Sequence, residues 1–498
     1  MITGGISLPS RFVARLKNIQ ADALIVILCA GFIGFLVNAF EPFGLEDDFD
    51  SSVSRAGNSI MAPLYGWVGG RVGQRDIMIV VIQEDTLAAF QDDTWPLPYR
   101  SQALLAQLIA ERKPAALFLD FYYARYHDKP VEVDFWGDGD ASPAGPATET
   151  GLESLARTLT TISQDFPVMI GPVVSATKQD ETGLQPLVDR ISASSNGSLM
   201  SVGVEHSGPP FYYYPMRDAG QRRQAAVELR NVWCKRQKSD CADFPEYEDD
   251  ARLAVDWGFG TTPLMARYQP VKERALCGSG SFWMSVKAFA RIVLHNLTRV
   301  LNDDDLRVYE SCPYFDTIPA EWLVTPPPGL DLDELIKDRL VLVGVDLPYL
   351  SDYVPAPLYG PVPGVTLHAM ALDNLITSGV AATKPAPVVW LGIDAADVWE
   401  MMIAFLSLIV LILFFTTPRE ESWVRRFLAF VHRSAVMFVL SICAALFASA
   451  VFHWPFVNFV AISGAGIAGF FVYRDIVQDG SDAAAVGQTA IRRNSNHD

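Results

Sequence analysis

Apolar positions follow one pattern in the middle of the chain and another at its ends. Within residues 76–123, the run 77–82 (IMIVVI) is β-branched enough for a buried strand. Residues 102–111 place Leu104, Leu105, Leu108 and Ile109 on one helical face. Pro114 stops that helix, and residues 115–119 form a second apolar run ending at Asp120. Strand, helix and strand in this order predict a right-handed βαβ unit, the start of a largely parallel sheet. Such a sheet keeps its crevice just past the strand ends. Polar residues stand there: Gln83, Glu84 and Asp85 after the first strand, Asp120, Tyr122 and Tyr123 after the second.

The same reading continues down the middle of the chain. Residues 41–75 are a polar, Gly-rich lead-in, and 127–150 have the Gly, Pro and acid content of a surface loop. A helix is predicted over 152–162, a third strand over 167–174, a loop over 175–197, and a strand pair over 199–204 and 211–214. Between 217 and 280 the pattern weakens, as in an excursion from the sheet. Beyond it, 283–293 has helical spacing, 306–309 is short and extended, and 326–328 is a proline break. A helical turn over 331–337 precedes a buried strand over 340–345 (LVLVGV), with Asp346 just past its end. A proline-rich loop then leads into a helix over 365–377 that carries His368 near its start.

The ends read differently. Residues 23–40, 398–416, 434–452 and 456–473 are nearly uncharged and close to the ~20 apolar residues that a helix needs to cross a bilayer. Half of the 498 residues are hydrophobic while the net charge is −18, so apolar and acidic character must be segregated. Arg11, Arg15 and Lys17 precede the first stretch, and Arg419, Arg425, Arg426 and Arg433 separate the second from the third. The positive-inside rule then makes residues 1–22, the loop 417–433 and the tail 474–498 cytoplasmic. It places the body 41–397 and the turn 453–455 outside. The predicted protein is thus an α/β periplasmic domain with a largely parallel sheet, held by four transmembrane helices, one before it and three after. The first stretch also has the form of a cleavable signal peptide, but its apolar core exceeds the roughly 7–15 residues usual for one. Gly464, Gly466 and Gly469 in the last stretch permit close helix contact and a homo-oligomer, although glycine is common in spans.

Six cysteines are present, and Cys29 and Cys443 fall in the apolar stretches. Cys234, Cys241, Cys277 and Cys312 remain, an even number in a compartment that permits disulfides. Pairing 234 with 241 and 277 with 312 is the most local of three connectivities. Zinc is the competing reading, but no His accompanies them at ligand spacing, and no metal is expected.

Candidate chemistry gathers at the strand ends, each residue with a plain structural reading beside the functional one. Glu84, Asp85 and Asp120 have the composition of a cation or acid-base cluster, and equally of helix caps. Arg100, after Trp95, Pro96 and Pro98, reads as an anion contact beneath an aromatic lid, or as part of a helix start. His368 reads as a base, a metal ligand or a buried histidine, and Tyr122, Tyr123 and the triplet 212–214 as pocket walls or packing. The zincin, serine-hydrolase and kinase motifs are absent, as is a basic stripe for nucleic acid.

Two blocks of this sequence together resemble the second type of CHASE domain, an extracytoplasmic sensory module of bacterial receptors. The first holds the strand 77–82, its acidic turn, the WPLPYR segment and the FLDF strand; the second is LVLVGVDLPYLSDYVPAPLYGPVPGVTLHA. The resemblance covers residues 76–379, and the family's arrangement of one span before the body and three after it agrees with the topology above. Members commonly carry Asp where Gln83 stands, and Arg directly after the WPxP segment, where Tyr99 here precedes Arg100. The resemblance implies a multi-pass sensor of the bacterial inner membrane whose periplasmic domain detects a small ligand or a periplasmic protein. Ligand contacts are then expected among Gln83, Glu84, Asp85, Arg100, Asp120, Tyr122, Asp346 and His368. No cofactor and no catalytic activity are expected. Receptors with this module usually continue into an output domain. Only residues 474–498 follow the last stretch, so the signal is expected to pass to a separate signalling protein. The alternative readings are an assembly subunit of an envelope complex and, third, a periplasmic enzyme using Glu84, Asp85, Asp120 and His368.

Overall fold

The computed structural model describes residues 62–65, 72–90, 95–126, 150–174, 178–194, 197–205, 213–237, 252–267, 313–350, 352–357, 359–379 and 387–390. It also describes 287, 289, 393–395, 398–399 and 402–403. The chain divides into two units, Asn58–Thr383 and the combined ends Met1–Gly57 with Lys384–Asp498. Among the described residues no helix is long and apolar enough to cross a membrane. The four apolar stretches lie outside the described residues, save positions 398, 399, 402 and 403.

The body Asn58–Thr383 is built on one parallel sheet. Its strands are β1 (Ile77–Ile82), β2 (Ala116–Leu119), β3 (Val168–Ile170), β4 (Leu199–Ser201), β7 (Asp316–Pro319) and β8 (Leu340–Val345), in the order β4-β3-β2-β8-β1-β7. Every neighbouring pair is parallel, and β1 is in register with β8 from Ile77 opposite Leu340 to Ile82 opposite Val345. β1 and β8 are buried at every position, so neither alternates apolar with polar residues.

Side chains of opposite parity serve opposite faces. Val80, Ile82, Leu117, Leu119, Val341 and Val343 join one hydrophobic core with α3 (Tyr99–Ala110), α4 (Gly151–Ile162) and α5 (Lys178–Ala193), which pack in series. The other face receives α8 (Gly364–Thr377), flanked by α1 (Val72–Asp76) and α6 (Ala225–Gln237). Short helices α2 (Glu84–Ala89) and α7 (Leu332–Ile336) complete the set used here; Asp331 caps α7 by accepting from the Asp333 and Glu334 N–H groups. Gly344 sets the depth of α8. A Cβ at that position would lie 2.4 Å from Val365 Cβ, so only glycine lets the helix approach the sheet this closely. Gly344→Ala is expected to cost about 1–3 kcal/mol through overpacking. A denaturation midpoint equal to that of wild type would show that α8 does not rest on the sheet there.

The structure corrects several expectations. Residues 178–193 form α5 rather than loop: Leu184 and Leu187 are fully buried and Ile191 packs on the core, a helical spacing obscured by Gly183 and Pro186. Among the described residues, 199–204 and 213–214 do not pair with each other. β4 adds to the edge of the main sheet, while β5 (Tyr213–Pro215) pairs antiparallel with β6 (Arg252–Ala254). Part of the supposed excursion is α6, which covers the sheet with α8. Its pattern is faint because the buried positions Ala225, Ala226, Leu229 and Arg230 include two alanines and an arginine, whose side chain donates to the Leu375 carbonyl at 3.3 Å. The edge strand β7 (DTIP) is too short and polar to announce itself. The proline-rich loop contains an antiparallel hairpin, β9 (Tyr353–Ala356) and β10 (Gly360–Pro363). The helix over 283–293, apart from helical positions 287 and 289, and the extended piece 306–309 lie outside the described residues.

Candidate functional site

Two polar arrangements stand at the carboxyl ends of the central strands. The first joins β1 to β8. The Gln83 amide donates to Asp346 Oδ2 at 2.7 Å, and the Tyr353 hydroxyl donates to Asp346 Oδ1 at 2.7 Å. Burial, then the bond to Asp346, pushes the Tyr353 phenol well up from its usual value, so it stays a donor. Both carboxylate oxygens of Asp346 are therefore engaged within the protein.

The second arrangement is built around Asp120, the first residue past β2. Its backbone N–H donates to the Val343 carbonyl at 2.8 Å, which fixes it beside β8. Its side chain is only 9% exposed, and His368 Nε2 lies 3.7 Å from Oδ2. His368 comes from the second turn of α8 and is held edge-on by Phe118 and Tyr214. Tyr214 fixes the ring further. Its oxygen accepts the Ala226 N–H at 3.2 Å and its hydroxyl lies 2.7 Å from His368 Nδ1. Burial raises the Tyr214 phenol, so the hydroxyl keeps its proton and pairs with Nδ1 as donor or acceptor according to the histidine tautomer. Where the hydroxyl donates, the neutral imidazole carries its N–H on Nε2, on the side of Asp120. Asp352 is the third member; its carboxylate lies against Gly364, the first residue of α8.

Two effects on Asp120 oppose each other. A histidine nearby would favour the carboxylate if protonated, but 3.7 Å exceeds hydrogen-bond range. Burial first, and then the charge of Asp352, push the Asp120 carboxyl well above the usual carboxylate range.

A cavity of about 300 Å³ opens over these groups and straddles the edge of the sheet. Asp120, His368 and Asp352 form its polar side; Trp95, Phe121, Tyr122 and Tyr123 supply aromatic wall, and Val204, Val345 and Leu350 complete the apolar lining. Gln102 is clamped at both ends, donating to the Leu97 carbonyl at 2.7 Å and accepting from the Tyr123 hydroxyl at 3.0 Å. Tyr122 is 61% exposed and marks the mouth.

Of the residues singled out in the sequence, Asp120, Tyr122 and His368 meet at this cavity. Gln83 and Asp346 form the neighbouring hydrogen-bonded pair. Glu84 and Asp85 are exposed in the first turn of α2, and Arg100 is exposed in the first turn of α3; none of the three lines the cavity. Asp352 and Gln102 went unremarked, as single polar residues within proline-rich or helical surroundings, while Tyr214, expected as pocket wall or packing, packs edge-on against His368. Cys234 is disulfide-bonded to a residue outside the described set; Cys241, Cys277 and Cys312 also lie outside it. Among the described residues no group of three or more His, Cys, Asp or Glu is placed to hold a metal ion.

The fold and site define an α/β domain with a polar-floored cavity where parallel strands end, the position at which open α/β sheets take their ligands. The CHASE2 domain model matches residues 26–413, and the chain belongs to this family of extracytoplasmic sensory domains. The match spans both blocks that carried the resemblance. Comparison with curated proteins and with solved structures finds no match.

Proposed function

We propose that the chain is a multi-pass receptor of the bacterial inner membrane. Its periplasmic body binds a small molecule in the Asp120 cavity and relays the event through the membrane segments to a separate signalling protein. The cavity carries the reading: a sensory-family domain has a chamber of ligand size at the carboxyl ends of its strands, with a buried carboxyl in it. The reading assigns binding, not catalysis, to Asp120 and His368. Relay requires that the occupant favour one of two conformations of the body, since equal affinity for both shifts nothing.

Val204 stands just past the edge strand β4 and outside the main core cluster, so enlarging it fills the cavity with little cost to packing. The full-length chain in detergent is expected to melt several degrees higher with periplasmic small-molecule extract, because a ligand that binds only the native state stabilises it. Val204→Trp is expected to melt near wild type without extract and to lose the shift. If no fraction of the extract moves the wild-type melting point, the body is a docking surface rather than a ligand sensor.

A further inference from the structure

We infer that the cavity selects a small organic cation bearing N–H groups, a protonated primary or secondary amine. This deepens the receptor reading and rests on it. The carboxyl of Asp120 is nine-tenths buried, faces the cavity, and has no hydrogen bond to either oxygen among the described residues. A buried carboxylate in that condition is costly, and the direct remedy is a donor that carries positive charge. The surroundings choose between charges. Asp352 adds a second negative group, and among the described residues no lysine or arginine lines the cavity beside the His368 imidazole. Among the described residues an anion would meet two carboxyls and no lysine or arginine. Its natural partner in the fold, the α8 N-terminus, is already faced by Asp352. The walls agree with the floor, because Trp95, Tyr122 and Tyr123 line the cavity and aromatic rings attract a cation. A volume of about 300 Å³ is the low end of the small-molecule range of roughly 300–1,000 Å³, so the ligand is small.

Binding an ammonium to protonated Asp120 expels a proton. Affinity is therefore expected to rise with pH as Asp120 ionises. The groups that also face it are His368 from α8, backed by Tyr214 from β5, and Asp352 from the loop before β9; a protonated His368 opposes the amine at low pH.

The test uses the full-length protein in detergent at pH 8 with butylammonium and 2-phenylethylammonium, each beside its neutral alcohol and its carboxylate, and with calcium or magnesium ion alone. Expected is saturable binding of an ammonium probe by about 10 mM, with the matching alcohol and carboxylate much weaker. Asp120→Asn is expected to weaken the ammonium about 10- to 100-fold, the loss of one charge-assisted hydrogen bond, and Asp352→Asn several-fold. Equal binding of alcohol or carboxylate, undiminished ammonium binding by Asp120→Asn, a divalent ion that displaces the probe, or no ammonium binding at all would each overturn the inference. If any of these occurs while Val204→Trp still abolishes stabilisation by extract, the receptor reading stands and only the ligand class falls.

Discussion

At pH 8, Asp120→Asn is expected to melt several degrees above wild type, and at pH 4 to melt at about the same temperature. The sign follows from the direction in which the fold moves the carboxyl. Its value in the folded body is raised, by burial and then by Asp352, above that of an unfolded aspartate. The protonated form is thus favoured in the native state, and native stability is greatest below the unfolded value. Stability is lost as pH rises through the folded value, where ionisation places a charge without a hydrogen bond in a cavity lined by Phe121, Val345 and Leu350. Asparagine removes the ionisation but keeps the shape, recovering about 1–3 kcal/mol above that range. The competing arrangement is an ion pair with protonated His368, which would make Asp120→Asn the less stable protein at pH 6–8. A melting curve at each pH separates the two. A residue that lowers stability in a cavity is what a binding site costs its fold when the missing donor is supplied by a ligand.

The parts of this site were unequally visible in the sequence, for physical reasons. β1 and β8 are legible because strands buried on both faces must be apolar throughout, and IMIVVI and LVLVGV are. α4 declares itself by Leu152, Leu155 and Leu159 on one face and by the Thr150–Glu153 capping box. The insertion of β8 between β1 and β2 is invisible, because connection lengths across a parallel sheet do not state strand order. That insertion brings α8, and with it His368, beside Asp120. Its place past a strand end suggested Asp120 and residue type suggested His368; only the topology makes them neighbours. Glu84 and Asp85 drew attention for the same compositional reason, but α2 begins at once after β1 and its first turn points them into solvent. Cys234 is disulfide-bonded, while the pairing itself was never fixed by spacing.

Asp373→Ala is expected to be the most damaging single substitution in the body, lowering stability by about 3 kcal/mol or more. Asp373 is completely buried on α8, five residues beyond His368, and it is the acceptor of a closed network. The Tyr314 hydroxyl donates to Oδ2 at 3.0 Å and the Thr377 hydroxyl to Oδ1 at 3.0 Å. Tyr65 is drawn into the same network; its phenol is raised by burial first and then by the Asp373 charge. Next along the helix, Asn374 donates to the Tyr65 oxygen at 3.0 Å and to the Asp256 carbonyl at 2.9 Å. Gly73 of α1 presses so closely that a Cβ there would lie 2.2 Å from Asp373 Oδ1. Removing the carboxylate strands several buried hydroxyl donors at a cost of about 1–3 kcal/mol each before relaxation. Asp373→Asn keeps one carbonyl acceptor and is expected to lose about half as much. The consequence is local as well as global. Tyr65 and α1, which lead into the sheet, are tied to the C-terminal half of the helix whose N-terminal half holds His368 at the cavity. A 14-residue helix is a stiff rod about 20 Å long, so it joins the two places mechanically. Amide exchange in residues 62–65 and 72–76 is expected to accelerate in Asp373→Ala while β1 and β8 remain protected. If the variant melts like wild type and those residues exchange no faster, the lead-in is held by other contacts and α8 does not connect it to the cavity.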